Sequence, residues 1–182
     1  GDFVIGYAGR LVPEKGLRVL MRALDGFDGD FDILMVGSGP LEPEIRAWGA
    51  ALTAGRRLCV HPSVPHTQIP ALMKTMDVFV LPSLTTPFWK EQFGHVLIEA
   101  MACGVPVIGS DSAEIPQVIR GAGRVVPEND PDGLRVALRE LAANPGERSA
   151  LGSQGRARVL ANFTHERISA RTVDFLGDLV HP

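Results

Sequence analysis

Two cations and two carboxylates stand on segments of this chain where they could act on a phosphorylated ligand. Arg10 and Lys15 share the short segment Gly9-Arg10-Leu11-Val12-Pro13-Glu14-Lys15-Gly16, bounded by glycines that let the backbone turn tightly. A helix following such a turn would aim its amide-rich N-terminus, worth about half a positive charge, into the same space, so the segment reads as an anion cradle. An ordinary solvated loop would also carry a lysine and an arginine toward water, and the pair alone does not decide between the two. A second segment, Val36-Gly37-Ser38-Gly39-Pro40, has glycines that allow close backbone approach to a ligand, although a tight structural turn would use them as well. It lacks the full Gly-x-Gly-x-x-Gly fingerprint, which argues against a nicotinamide cofactor.

The most informative segment runs from Pro82 through Glu91, Phe93, Gly94 and His95 into the apolar stretch Val96-Leu97-Ile98-Glu99-Ala100-Met101. Long loops in compact domains are usually functional. A carboxylate inside that stretch is costly to bury without a hydrogen-bond partner, and sugar hydroxyls would serve Glu99; the exposed stripe of a helix would serve it equally. Trp89 and Phe88 are of the kind that stacks on a sugar face, but large apolar residues more often pack a loop down. His95 could donate to a phosphate or simply face solvent. His61, His66, His165 and His181 lack metal-ligand spacing and read as structural or exposed, and Arg120 and Arg124 read as surface charges.

These segments need a scaffold, and the hydrophobic pattern supplies one. Short apolar runs at 3–8, 32–36, 58–60, 78–81, 105–108 and 123–126 read as buried strands. Helical periodicity lies between them at 17–24, 41–52, 69–76 and 96–102, an alternation that predicts a parallel sheet with helices on both faces. After Val126 the pattern turns helical only, over 130–143, 148–162 and 165–179, giving a C-terminal helical layer. In such an open sheet, ligands bind at the carboxyl ends of the strands, where all three segments would lie.

Composition bounds the reading. The 182 residues suit one α/β domain, and 45% apolar with 21% charged residues is ordinary for a globular protein. A net charge of -3 without like-charge blocks argues against a nucleic-acid partner. Cys59 and Cys103, in apolar stretches without Cys-x-x-Cys spacing, predict buried reduced thiols and a cytoplasmic location. No apolar run approaches the roughly 18 residues of a membrane span, and no basic leader is visible. The chain enters its first strand abruptly, so we expect something to precede it.

At Glu91 to Glu99 the sequence resembles the Glu-x7-Glu signature of the family 4 retaining glycosyltransferases, and Cys103-Gly104-Val105-Pro106-Val107-Ile108 continues the resemblance. The segments at Gly9-Arg10-Leu11 to Lys15-Gly16 and at Val36 to Pro40 are similar to that family's first and second glycine loops, and the likeness runs in order to Phe163-Thr164. The resemblance implies one half of a GT-B fold: a single Rossmann-like domain of about six parallel strands that holds a nucleotide-sugar donor. The acceptor-binding N-terminal domain would lie outside this chain, leave room for peripheral membrane contact, and be required for transfer.

By the same resemblance, Arg10 and Lys15 would contact the donor diphosphate, Glu91 the hexose hydroxyls and Glu99 the ribose. Backbone amides across Phe93, Gly94, His95, Val96 and Leu97 would meet phosphates or sugar. Gly9, Gly37 and Ser38 complete the donor site, and Ser63 and Val64 stand where the family contacts the base. No cofactor and no metal are expected. Two departures affect this reading: Pro62 replaces a common glycine and removes an N-H donor, and Ala113 stands where glycine is usual, which is costly if φ there is positive. Other readings are a stand-alone nucleotide-sugar-binding module, a GT-B sugar-nucleotide epimerase, and a pyridoxal-phosphate-dependent phosphorylase, for which Lys74 and Lys90 offer no convincing cofactor context.

Overall fold

The computed structural model describes residues 3–180. Six strands, β1 (Phe3–Ala8), β2 (Phe31–Val36), β3 (Arg56–His61), β4 (Val78–Leu81), β5 (Val107–Ser110) and β6 (Arg124–Val126), form one all-parallel sheet in the order β3-β2-β1-β4-β5-β6. The central strands are apolar on both faces because helices cover both. Ile5, Tyr7, Ile33, Met35, Phe79, Val80, Val107 and Ile108 are all essentially inaccessible to solvent. The strand order reverses between β1 and β4, so the chain leaves the sheet there on opposite sides and opens a crevice.

The helices are α1 (Leu17–Asp25), α2 (Glu42–Ala50), α3 (Ile69–Met73), α4 (His95–Ala102), α5 (Ile115–Ile119), α6 (Pro131–Ala143), α7 (Pro145–Asn162) and α8 (His165–Val180). By contact α1 packs with α6 on one side and α4 with α3, α5 and α7 on the other, and α7 joins the two sets through its contact with α6. Right-handed crossovers on either side of the reversal require this division. None of the helices among the described residues is long and apolar enough to cross a membrane.

Boundaries differ from the sequence reading where local chemistry decides them. The helix expected from Leu41 begins at Glu42 and ends at Ala50, and α3 is a single short helix preceded by a 3-10 turn at His66–Gln68. Helix α5 was not expected; Ile115-Pro116-Gln117-Val118-Ile119 is too short to show periodicity. Asp130 caps α6 through Gly133, and Asn144 caps α7 through Glu147, so Asn144-Pro145 both ends one helix and starts the next. Two side chains are also corrected. Cys59 lies exposed on edge strand β3, whereas Cys103 is half-buried with its thiol pushed up by desolvation; both are free thiols. Arg124 pairs with Glu147 and Glu140 rather than standing free on the surface. His181 lies outside the described residues.

Candidate functional site

The loops at the carboxyl end of the sheet are stitched to one another by backbone. The amide of Gly9 donates to the carbonyl of Val36 at 2.9 Å, that of Leu11 to Ser38 at 2.9 Å, and that of Gly37 to His61 at 2.9 Å. A side chain at Gly37 would bring a Cβ within 1.9 Å of the Gly9 carbonyl oxygen, so the close approach itself demands glycine. On the other side of β1, the amide of Leu84 donates to Glu14 at 2.8 Å. Gly16, at φ 68, starts α1 so near the β4 loop that a Cβ would meet the Pro82 carbonyl at 1.7 Å.

A cleft of about 430 Å³ opens over the ends of β1, β2 and β3 and beside the first turn of α4. Among the predicted residues, Gly9, Arg10, Gly37, Ser38, Ser63, Val64, His95, Val96 and Glu99 line it, together with His66. Arg10 brings a guanidinium that is 63% exposed and only loosely paired with Glu14 at 3.6 Å. The Ser38 and Ser63 hydroxyls meet at 3.2 Å across the wall formed by the β2 and β3 loops. Glu99 Oε1 and His66 Nε2 lie 2.9 Å apart in a hydrogen bond, so the partner that the carboxylate's setting requires is a histidine on the facing segment.

Helix α4 begins at His95, one residue ahead of the expected 96–102, where Gly94 takes a left-handed φ of 73 as its N-cap. No side chain caps this end, which leaves its first-turn amides facing the cleft. Leu97 is different: its amide donates to Gly94 at 2.8 Å and its side chain is buried, so it is not among the free donors. Phe93 does not line the cleft; its ring packs on His95 and, edge-on, on Phe163.

Lys15 and Glu91 lie off the cleft wall, in a denser cluster between the β1 and β4 loops. Lys15 Nζ and Glu91 Oε2 are 2.5 Å apart with side chains only 15% and 11% exposed. Ser83, fully buried, donates to the same Oε2 at 3.0 Å and accepts at its carbonyl from the Ser110 hydroxyl at 2.6 Å. The Lys15 ammonium stands over the Trp89 ring, 4.9 Å from its centroid. Buried Tyr7 donates to the Arg10 carbonyl at 2.7 Å; desolvation first, and then the Glu91 charge, hold its phenol far above the ordinary range and therefore protonated.

The rest of the β4 loop is equally anchored. Thr85 binds Glu128 through its amide at 2.5 Å and its hydroxyl at 2.6 Å, and also meets Ser112. The strip Thr86-Pro87-Phe88-Trp89 closes on itself as a small hairpin that holds Phe88 at 98% exposure, so Phe88 does not pack the loop down. Sequence reasoning passed over Ser83, Tyr7 and Glu128, and it read His66 only as structural or exposed, whereas His66 lines the cleft beside Glu99. A serine two residues past a buried strand was the one available signal for Ser83; nothing in the sequence paired His66 with Glu99. Among the described residues no cluster of His, Cys, Asp and Glu could hold a metal ion.

Comparison with known proteins adds to this geometry. The model of the Glycosyl transferases group 1 family matches residues 1–158. A GDP-mannose-dependent alpha-(1-6)-phosphatidylinositol monomannoside mannosyltransferase of Mycolicibacterium smegmatis is 31% identical over 92% of this chain and 46% of its own length. Sucrose-phosphate synthase of Thermosynechococcus elongatus superposes with a TM-score of 0.83 at 28% identity, over 98% of this chain and 46% of that one. Anabaena HepE, solved in complex with UDP, superposes with a TM-score of 0.82 at 21% identity, over 97% of this chain and 49% of that one. The chain thus spans about half the length of each of these three relatives. The six-stranded parallel fold agrees with these matches, and the chain belongs to the glycosyl transferases group 1 family.

Proposed function

We propose that this chain is the donor-binding half of a glycosyltransferase: it binds a nucleoside diphosphate hexose and, with an N-terminal acceptor-binding domain, transfers the hexosyl group with retention of configuration. The observation that carries the reading is the cleft at the sheet's switch point, where an exposed guanidinium and an uncapped helix end face one concave space. Relatives named for GDP-mannose and solved with UDP support a nucleotide-bearing donor.

Breaking the bond from the anomeric carbon to the diphosphate puts negative charge on the leaving phosphate. Arg10, the α4 amides and, from the adjoining cluster, Lys15 would stabilise it as preorganised positive groups, without a metal. Glu99 and His66 would take the ribose, Ser38, Ser63 and Val64 the base side, and Glu91 the hexose. Isolated, the domain is expected to turn over no acceptor, because half of the transfer geometry is supplied elsewhere.

Calorimetric titration with UDP, GDP and ADP and their hexose conjugates tests the reading. Saturable binding of one nucleotide, tightened by its sugar, is the expected result and identifies the base. Binding no better than inorganic phosphate would overturn the donor-domain reading. A stand-alone binding module is not favoured, because the mannosyltransferase and sucrose-phosphate synthase relatives each carry about as much chain again as this one.

A further inference from the structure

Lys15 is held more firmly than a lysine side chain ordinarily is. A lysine side chain has four rotatable bonds, and an ammonium carrying three donors is normally spread over many positions in water. Here it is fixed. Among the described residues Glu91 is its one hydrogen-bond acceptor, at 2.5 Å, and Trp89 is its one aromatic neighbour, with the ring centroid at 4.9 Å. Glu91 in turn is fixed on the same oxygen by buried Ser83. The carboxylate thus takes one N-H, the ring face takes up a second direction, and the third donor has no acceptor among the described residues.

We infer that Trp89 is a positioning residue for Lys15: its ring face holds the ammonium in a single orientation, so that its unspent donor stays available to the diphosphate. The use of that donor rests on the donor-binding reading; the positioning itself does not. The hairpin accounts for Trp89's own placement. Its amide and carbonyl pair with Thr86, and Thr85 is clamped by Glu128 and Ser112, so the ring is carried on an ordered strip rather than on a loose loop. A cation held on an aromatic face in a half-buried setting is stabilised enough that deleting the ring should release it.

The chain contains only three lysines, Lys15, Lys74 and Lys90, so protein labelled with carbon-13 lysine gives three ε-methylene signals, and Lys15→Arg assigns one of them. In the ligand-free chain the Lys15 signal should be displaced upfield by the Trp89 ring current. Trp89→Phe, which keeps a ring face, should retain part of the displacement, and Trp89→Leu should abolish it while the Lys74 signal stays in place. In titrations with UDP, GDP and ADP, Trp89→Phe should bind within about threefold of the unaltered chain and Trp89→Leu about tenfold more weakly, the scale of one desolvated cation-ring contact. A Lys15 signal already undisplaced in the unaltered chain, or unchanged in Trp89→Leu, would overturn the inference. So would tight nucleotide binding by Trp89→Leu equal to that of the unaltered chain. If the Lys15 signal responds as expected but no nucleoside diphosphate binds any of the proteins, the positioning role stands and the donor-binding reading fails.

Discussion

Glu91 and Glu99 close the two ends of one motif, yet the protein treats them in opposite ways. Glu91 is buried, shares one oxygen between Lys15 and Ser83, and ties the loop after β4 to the loop after β1. Glu99 sits half-exposed on α4 and meets a histidine whose side chain is 78% exposed. The first belongs to a structural clamp that also carries charge; the second belongs to a soft wall that can exchange its partner for a ligand. One carboxylate should therefore report mainly in stability and the other mainly in binding.

The largest effect is expected at the clamp. Replacing Glu91 by Ala leaves a mostly buried ammonium without its acceptor, and losing one member of such a pair costs about 3 kcal/mol. For a domain of this length that lowers the melting temperature by about 6 to 12 °C in a thermal unfolding scan. The double change Lys15→Met with Glu91→Leu should recover much of the loss, because two apolar side chains leave no orphaned charge. A double variant as unstable as Glu91→Ala would show that Glu91 acts on stability through Ser83 rather than through Lys15.

Next is Tyr7→Phe, which removes the hydrogen bond to the Arg10 carbonyl and leaves that acceptor unpaired, at a cost of about 1.5 kcal/mol. It should also change the alkaline limb. Folding raises the Tyr7 phenol, so its contribution is complete below the unfolded value near 10 and is lost as pH rises beyond it. Denaturant titrations from pH 9 to 11.5 should show the unaltered chain losing stability more steeply than Tyr7→Phe. Parallel limbs would mean the phenol is not held neutral by its burial.

At the soft wall, Glu99→Ala should cost less than about 1 kcal/mol of stability, as exposed pairs do. Its effect belongs in binding: nucleoside diphosphate affinity should fall while inorganic pyrophosphate affinity stays unchanged, since only the former has a ribose. A large loss of stability with no change in binding would reverse the assignment of the two carboxylates.

The same contrast explains what could be read before the structure. The sheet was legible because its strands are buried on both faces, and a continuous apolar run such as Val78-Phe79-Val80-Leu81 is hard to place otherwise. Arg10, Lys15 and Glu91 were legible as charges on glycine-bearing loops, and Glu99 as a carboxylate in an apolar helical stretch, but their partners were not. Lys15 and Glu91 come together only because β1 and β4 are neighbours in the sheet, a fact of topology rather than of spacing. Ser83, Tyr7 and His66 act through single hydrogen bonds that leave no periodic trace. Helix α5 escaped for a similar reason, since five residues hold little more than one turn.

The smallest effect concerns a position where the sequence raised a conditional cost. Ala113, standing where family members usually carry glycine, has a φ of 45, so the condition is met. Left-handed backbone costs a residue with a Cβ about 1 to 2 kcal/mol, and glycine escapes that strain but adds about 0.5 to 1 kcal/mol of unfolded-state entropy. Ala113→Gly should therefore stabilise the domain by about 0.5 kcal/mol, or roughly 1 to 2 °C. The neighbouring contacts make the sign informative. Ser112 is buried against Thr85, which fixes the backbone entering residue 113, so the turn cannot simply relax to relieve the alanine. An unchanged or lowered melting temperature would mean that in solution this turn has moved away from the left-handed region. The Ser112 to Thr85 contact would then loosen with it, and the clamp side of the site would be less rigid than its hydrogen bonds imply.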